Sequence, residues 1–211
     1  MSKAGWAILG AVAGLLAGGV LGFLASLAAS KKAQEFPAEA VRQDDRAHEN
    51  ESQTRANDAK KADLLEPRML KRPAFELKYP ENWSVDTKDE DYDPDHFFSV
   101  EGSEGGSVMF FFFNVSSDPA KKVESQVTLL RARMMKDAVR SGFTRWGRYE
   151  GCGALLKGRI MGVFKGQVRV FPSSEGSRSL MVVEQALEKD WARVTPGLKM
   201  IEDSFHWTKQ E

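Results

Sequence analysis

Met109-Phe110-Phe111-Phe112-Phe113 is apolar at every step, and a strand with no polar side needs cover on both faces. Such a segment belongs inside a sheet with further layers above and below it. The residues before it read as strands that supply that sheet. Phe75, Leu77 and Tyr79 alternate with Glu76 and Lys78, the period of a half-buried strand. Pro80-Glu81-Asn82 turns the chain, and Trp83 and Val85 continue the alternation in a short second strand. An acidic loop from Asp86 to Asp95 follows, then a strand from Phe97 to Val100 and a turn at Gly102 to Gly106 leading into Ser107 to Val115.

The covering layers are predicted from the remaining pattern. Asp118-Pro119 is a cap and first turn for a helix to about Arg140. On it Val123, Val127, Leu130 and Met134 share one face, and Ser141-Gly142 is its expected end. Strands are predicted for Phe143 to Glu150, Ala154 to Val163, Gln167 to Phe171 and Ser179 to Gln185, with turns at Lys165-Gly166 and Pro172 to Ser177. A last helical region spans Glu188 to Asp203, with Thr195-Pro196 read as a fresh cap inside it. The order of strands, helix, strands and helix predicts an α+β fold, an antiparallel sheet sandwiched between helices.

Ahead of this domain, Ala4 to Ser30 carries no charge and is bounded by Lys3 and by Lys31-Lys32. At about 1.5 Å per helical residue it is long enough to cross a hydrocarbon core of roughly 30 Å. It reads as a retained, single-pass transmembrane helix over residues 1–30, since the run exceeds the apolar core of an ordinary cleavable signal. Gly10, Gly14, Gly18 and Gly22 recur every fourth residue. They form a glycine zipper on which a second span, including that of another copy, would pack closely. Residues 31–71 are rich in charge and nearly free of aromatic side chains, too poor in apolar surface to form a core. Glu51 with Arg55, Glu39 with Arg42 and Asp58 with Lys61 favour a partly helical stalk. Leu64, Leu65, Met69 and Leu70 are expected to dock its end onto a domain over residues 72–208. Lys31, Lys32, Arg42 and Arg46 follow the span while Lys3 precedes it, a balance that favours a cytoplasmic domain.

Lys and Arg together number 30, as do Asp and Glu, so no broad basic surface points to nucleic acid. Cys152 is the single cysteine, which excludes an internal disulfide, and its expected role is packing. Asp91-x-Asp93-x-Asp95 opens like a calcium loop. His96 then stands where the tight turn needs Gly, and Gly102 where the closing Glu belongs, so a solvated acidic loop is expected rather than a metal site. His96 beside these carboxylates is the one further metal candidate, for a transition metal. Gly153 to Gly158 has phosphate-loop spacing, but Arg159 and Ile160 replace the Lys and Ser/Thr that touch phosphate and magnesium. Trp146, Trp191 and Trp207 are expected in the core rather than along a ligand groove. No catalytic set and no cofactor is implied.

Phe75-x-Leu-x-Tyr79-Pro80-x-x-Trp83, the mid-domain helix, the strand meander and the closing Ile201-x-x-Ser204-Phe205 resemble the PsbP-like and DcrB-like group of α/β/α sandwich domains. The resemblance implies a noncatalytic accessory, binding or assembly factor, with the domain outside the cytoplasm, against the basic flank of the span. The side of the bilayer is therefore left open by the sequence. This chain departs from the lipid-anchored members, because its cysteine lies far from the start. The expectation is a membrane-tethered interaction domain of a bacterial envelope complex, with the bilayer and a protein as partners. Two alternatives remain: a secretion accessory or chaperone that shelters a hydrophobic client segment, and a ligand-binding enzyme without a recognisable motif.

Overall fold

The computed structural model describes residues 61–102, 105–113 and 118–208. The apolar stretch Ala4 to Ser30, its glycines Gly10, Gly14, Gly18 and Gly22, and the predicted stalk up to residue 60 lie outside them. Among the described residues no helix is long and apolar enough to cross a membrane. Two compact units are distinguished. One is described only at Thr87 to Tyr92, where Asp89 accepts from the Tyr92 amide at its carbonyl and from the Asp91 amide at its carboxylate. The other, Lys61 to Asp86 with Asp93 onward, holds the fold.

Its main sheet has seven strands, all antiparallel, in the order β3-β4-β5-β9-β8-β7-β6. They are β3 (Ser84–Asp86), β4 (Phe97–Glu101), β5 (Gly106–Phe113), β6 (Val139–Trp146), β7 (Tyr149–Ile160), β8 (Phe164–Glu175) and β9 (Arg178–Leu187). β5 lies between β4 and β9, and its residues through Phe111 are buried. β9 is at the centre, and from Ser179 onward it is buried on both faces. This mixed α+β, antiparallel architecture gives the all-apolar run the two-sided cover it needs.

Helix α1 (Pro119–Arg133) covers one face. Asp118 caps it by accepting from the Ala120 amide at 3.0 Å, with Pro119 in the first turn where its missing N–H costs nothing. Val123, Gln126, Val127, Leu130 and the following Met134 are buried beneath it. Lys122 lies 4.6 Å from the Phe113 ring and donates to Ser179 Oγ, tying the helix to that side of the sheet.

The opposite face carries α2 (Trp191–Ser204), after a short 3-10 turn at Glu188–Asp190. Beside it is a second sheet of β1 (Arg68–Lys71), β2 (Phe75–Tyr79) and β10 (His206–Trp207) in the order β1-β2-β10. The domain-opening strand thus lies outside the main sheet. Its Phe75 stacks on Phe98 and Phe112, while Phe205 meets Phe75, Phe110 and Trp146. Each such ring pair adds about 0.5–1.5 kcal/mol beyond area burial.

The two short motifs of the sequence resemblance act here as docking devices. Trp83 lies between Gly102 and Gly197, where an added Cβ would come within 2.6 and 2.7 Å of the indole. Ser204 Oγ accepts from the Lys78 amide at 2.8 Å and is 3.2 Å from the Lys78 carbonyl, joining the end of α2 to β2.

Several local expectations are corrected. α1 ends at Arg133, because Met134 and Met135 both turn inward and their amides both donate to the Leu130 carbonyl. Gly142 is then a strand residue opposite Ala154 rather than a helix end. The run expected from Phe143 to Glu150 is broken by a hairpin at Gly147, with φ of 56°. Lys165-Gly166 is strand, and the turn falls at Met161 and Gly162, both at positive φ. Pro172 lies within β8, opposite Met181 of β9. It is tolerated because β7 stops pairing with β8 at Ala154–Val170, leaving no second ladder for its absent N–H. α2 runs through Pro196 without a fresh cap. Leu64, Leu65 and Met69 do not dock but are exposed, and Ala62 is the residue buried there. Arg68 to Lys71, read as stalk, pairs with β2 as β1.

Candidate functional site

Arg169 of β8 stands opposite Glu184 of β9, so both side chains leave the sheet on the α2 side. Arg169 Nη1 donates to Glu184 Oε2 at 2.6 Å and to Glu202 Oε2 of α2 at 3.2 Å. Trp146 Nε1 donates to Glu184 Oε1 at 2.7 Å, and the Gly147 amide to Glu202 Oε1 at 2.9 Å. Every carboxylate oxygen of the pair therefore has a donor. Burial pushes the Glu184 carboxyl above its ordinary range, with Arg169 and Trp146 pulling the other way. The guanidinium is held charged by its two carboxylates against the opposing cost of burial, and its plane covers the Phe143 ring at 4.6 Å. This cluster fastens α2 to the sheet, and its polar atoms face each other.

Beyond it, towards the β7–β8 hairpin, the same face opens into a groove of about 530 Å³. Lys157 pairs with Gln167 and Arg159 with Lys165 across the two strands, which aligns these four side chains in the groove. Glu188 and Trp191 form the wall at the start of α2. Lys165 Nζ is 3.9 Å from Glu188, and Arg159 Nη1 is 3.4 Å from the Val163 carbonyl. Among the described residues Lys157 has no ion pair. Gly158 faces Gly166 between these two pairs, where an added Cβ would meet the Ala138 backbone at 2.9 Å or the Ala186 carbonyl at 2.7 Å. The glycines thus let the neighbouring strands approach on the far side, while the near side presents cations, an amide and an indole edge.

The residues singled out in the sequence are placed differently. Asp93 and His96 pair at 2.9 Å, and Asp93 also accepts from the Asp95 amide. The Asp95 amide first, and His96 second, hold the Asp93 carboxyl below its ordinary range. Asp91 belongs to the separate segment ending at Tyr92. Among the described residues no group of three or more His, Cys, Asp or Glu is placed to hold a metal ion. Gly153 to Gly158 lies along β7 and not at a strand-to-helix loop. Cys152 is exposed rather than packed, since it precedes Ala154, where β7 begins to pair with β8. Trp146 and Trp207 are core, whereas Trp191 is half-buried on the groove. A signal for this groove was present in the sequence: Gly151 to Ser174 contains no Asp or Glu but carries Lys157, Arg159, Lys165 and Arg169.

No protein-family model matches the chain, and no curated protein does. Among solved structures it is similar to the solution structure of cyanobacterial PsbP (CyanoP) from Synechocystis sp. PCC 6803. There the TM-score is 0.42 and the identity 11%, over 68% of this chain and 92% of that one. It is also similar to a crystal structure from Bacteroides thetaiotaomicron VPI-5482, at TM-score 0.41 and 11% identity, over 64% of this chain and 46% of that one. The chain thus spans less than half the length of this second protein. The first of these two is a PsbP, the group that the sequence motifs resemble.

Proposed function

We propose that this protein is a membrane-tethered, noncatalytic interaction domain that serves as an accessory or assembly factor for an envelope complex. The uncharged stretch from Ala4 to Ser30, long enough for a bilayer, carries the reading. The folded unit is consistent with it, because its buried carboxylates at Glu184, Glu202 and Asp190 are engaged by Arg169, Trp146, Gly147 and Arg193 inside the protein. The open groove offers a surface rather than an enclosed reaction chamber. Tethering would work by position, raising the effective concentration of the domain towards a neighbour in the same membrane.

The test is to wash native membranes holding the full chain with high salt and with alkaline carbonate, then to cross-link and identify neighbours. Retention through both washes with a recurrent protein neighbour is expected. Release by salt, or a mature chain beginning after Ser30, would remove the tether. Turnover of a substrate by the purified chain would remove the noncatalytic assignment.

A further inference from the structure

The β7–β8 hairpin ends in an exposed apolar tip. Met161 is 42% and Val163 57% exposed, with Gly162 between them. Soluble surfaces scatter single apolar residues freely, but apolar side chains grouped beside cations suit a bilayer interface, where buried apolar area and attraction to anionic lipid add. Arg159 lies two residues before Met161 and Lys165 two residues after Val163, with Lys157 two residue pairs further back on the same face. The tip is held firmly: the Met161 amide donates to the Met134 carbonyl at 2.7 Å, and Val163 closes on Ile160. Met161 keeps φ at 53°, a conformation unfavourable for a side chain with a Cβ.

We propose that this tip docks on an anionic bilayer surface, with Met161 and Val163 entering the interfacial zone and Lys157, Arg159 and Lys165 facing acidic headgroups. The proposal rests on the tethered reading, which supplies the bilayer. Charge complementarity selects the occupant. From Gly151 to Ser174 the chain is free of acids, and Arg169 is turned inward to Glu184 and Glu202, leaving three cations outward. The nearby acids are Glu188, 3.9 Å from Lys165, and Asp137 in the turn after α1, where Lys136 stands beside it. The acids are therefore outnumbered at the tip.

The experiment uses the full chain carrying Cys152→Ser and Met161→Cys, with a polarity-sensitive fluorophore at position 161. The chain is reconstituted into vesicles of phosphatidylcholine alone or with about one third phosphatidylglycerol. Flotation reports the tether and emission reports the tip. Flotation with both vesicles, with blue-shifted emission only in the anionic ones, is the expected result. Neutralising Lys157, Arg159 and Lys165 to Gln should lower the docked-to-undocked ratio about a hundredfold at low salt. Flotation with both but identical emission overturns the proposal and leaves the tether standing. Flotation only with anionic vesicles, with the shift, removes the tether and supports the docking. A shift seen in native membranes but in neither vesicle overturns the lipid assignment in favour of a protein partner.

Discussion

At the scale of single residues, the ion cluster beneath α2 makes the sharpest demand. Removing Arg169 leaves two carboxylates facing each other in a buried site, and breaking such a pair costs about 3–5 kcal/mol. Arg169→Met should therefore lose about 3 kcal/mol at pH 7 in urea unfolding. Burial already raises the Glu184 carboxyl above its ordinary 4.5. Between that value and the folded one, the native state keeps a proton that the unfolded chain has released, so stability falls as pH rises through the window. Without the guanidinium the window widens upward, and the deficit of Arg169→Met should shrink as pH is lowered towards 5. An equal deficit at both pH values would mean that the loss is one of packing alone. Gly147 is a second local test. At φ of 56°, its added Cβ would lie 2.1 Å from the Glu202 carbonyl, whereas Gly162 at φ of 72° has open space. Gly162→Ala should cost about 1–2 kcal/mol from backbone conformation alone, and Gly147→Ala at least about 3 kcal/mol, since the carbonyl must also move. Similar midpoints for the two variants would show that the hairpin relaxes away from α2.

At the scale of elements, the outcome depended on whether a pattern was local. The alternation of Phe75, Leu77 and Tyr79, the capped start of α1 and the apolar β5 are all determined by neighbours in sequence, and all stand where the pattern put them. Turns were harder, because glycine serves two purposes. Gly166 reads as a chain reversal and Gly142 as a helix end, but both lie on strands, Gly166 because the Ala186 carbonyl leaves no room for a Cβ. The real reversal at Met161 begins with a residue that sequence statistics disfavour at positive φ. The three-stranded sheet was illegible for another reason: its third member, β10, is two residues long and pairs with Glu76 and Phe75 from the far end of the domain. The groove is not legible in any short motif, because its signal is an absence of acids spread over two strands. The α2 docking allows a test at this scale. Gly197→Ala gains about 1 kcal/mol of helix propensity. However, its Cβ would stand 2.7 Å from the Trp83 ring and 2.9 Å from Pro80 Cγ, and overpacking of this kind costs about 1–3 kcal/mol. The ring is buried and Pro80 is rigid, so the clash should win and unfolding should occur at lower urea. A rise in the midpoint would show that α2 can lift from Pro80 and Trp83 at no cost.

At the scale of the whole molecule, the proposed tether would make retention in a membrane and association within it two separable properties of the same N-terminal stretch. On that reading, retention would depend on the sum of apolar transfer over Ala4 to Ser30, which replacing glycines by larger apolar residues would leave intact or strengthen. Association through the stripe would depend on backbones approaching along Gly10, Gly14, Gly18 and Gly22, and a single bulky residue on that face holds them apart. Gly14→Ile with Gly18→Ile should therefore leave the carbonate-resistant fraction unchanged while lowering the yield of span-to-span cross-links about tenfold, the equivalent of about 1.4 kcal/mol. The folded unit supplies an internal control, since its core of Phe75, Phe98, Phe110 and Phe205 is built from residues far along the chain, and its unfolding midpoint should not move. Unchanged cross-linking with unchanged retention would leave the fourfold glycine spacing without a role in association. Loss of retention would show instead that the stretch is held by a partner span rather than by lipid.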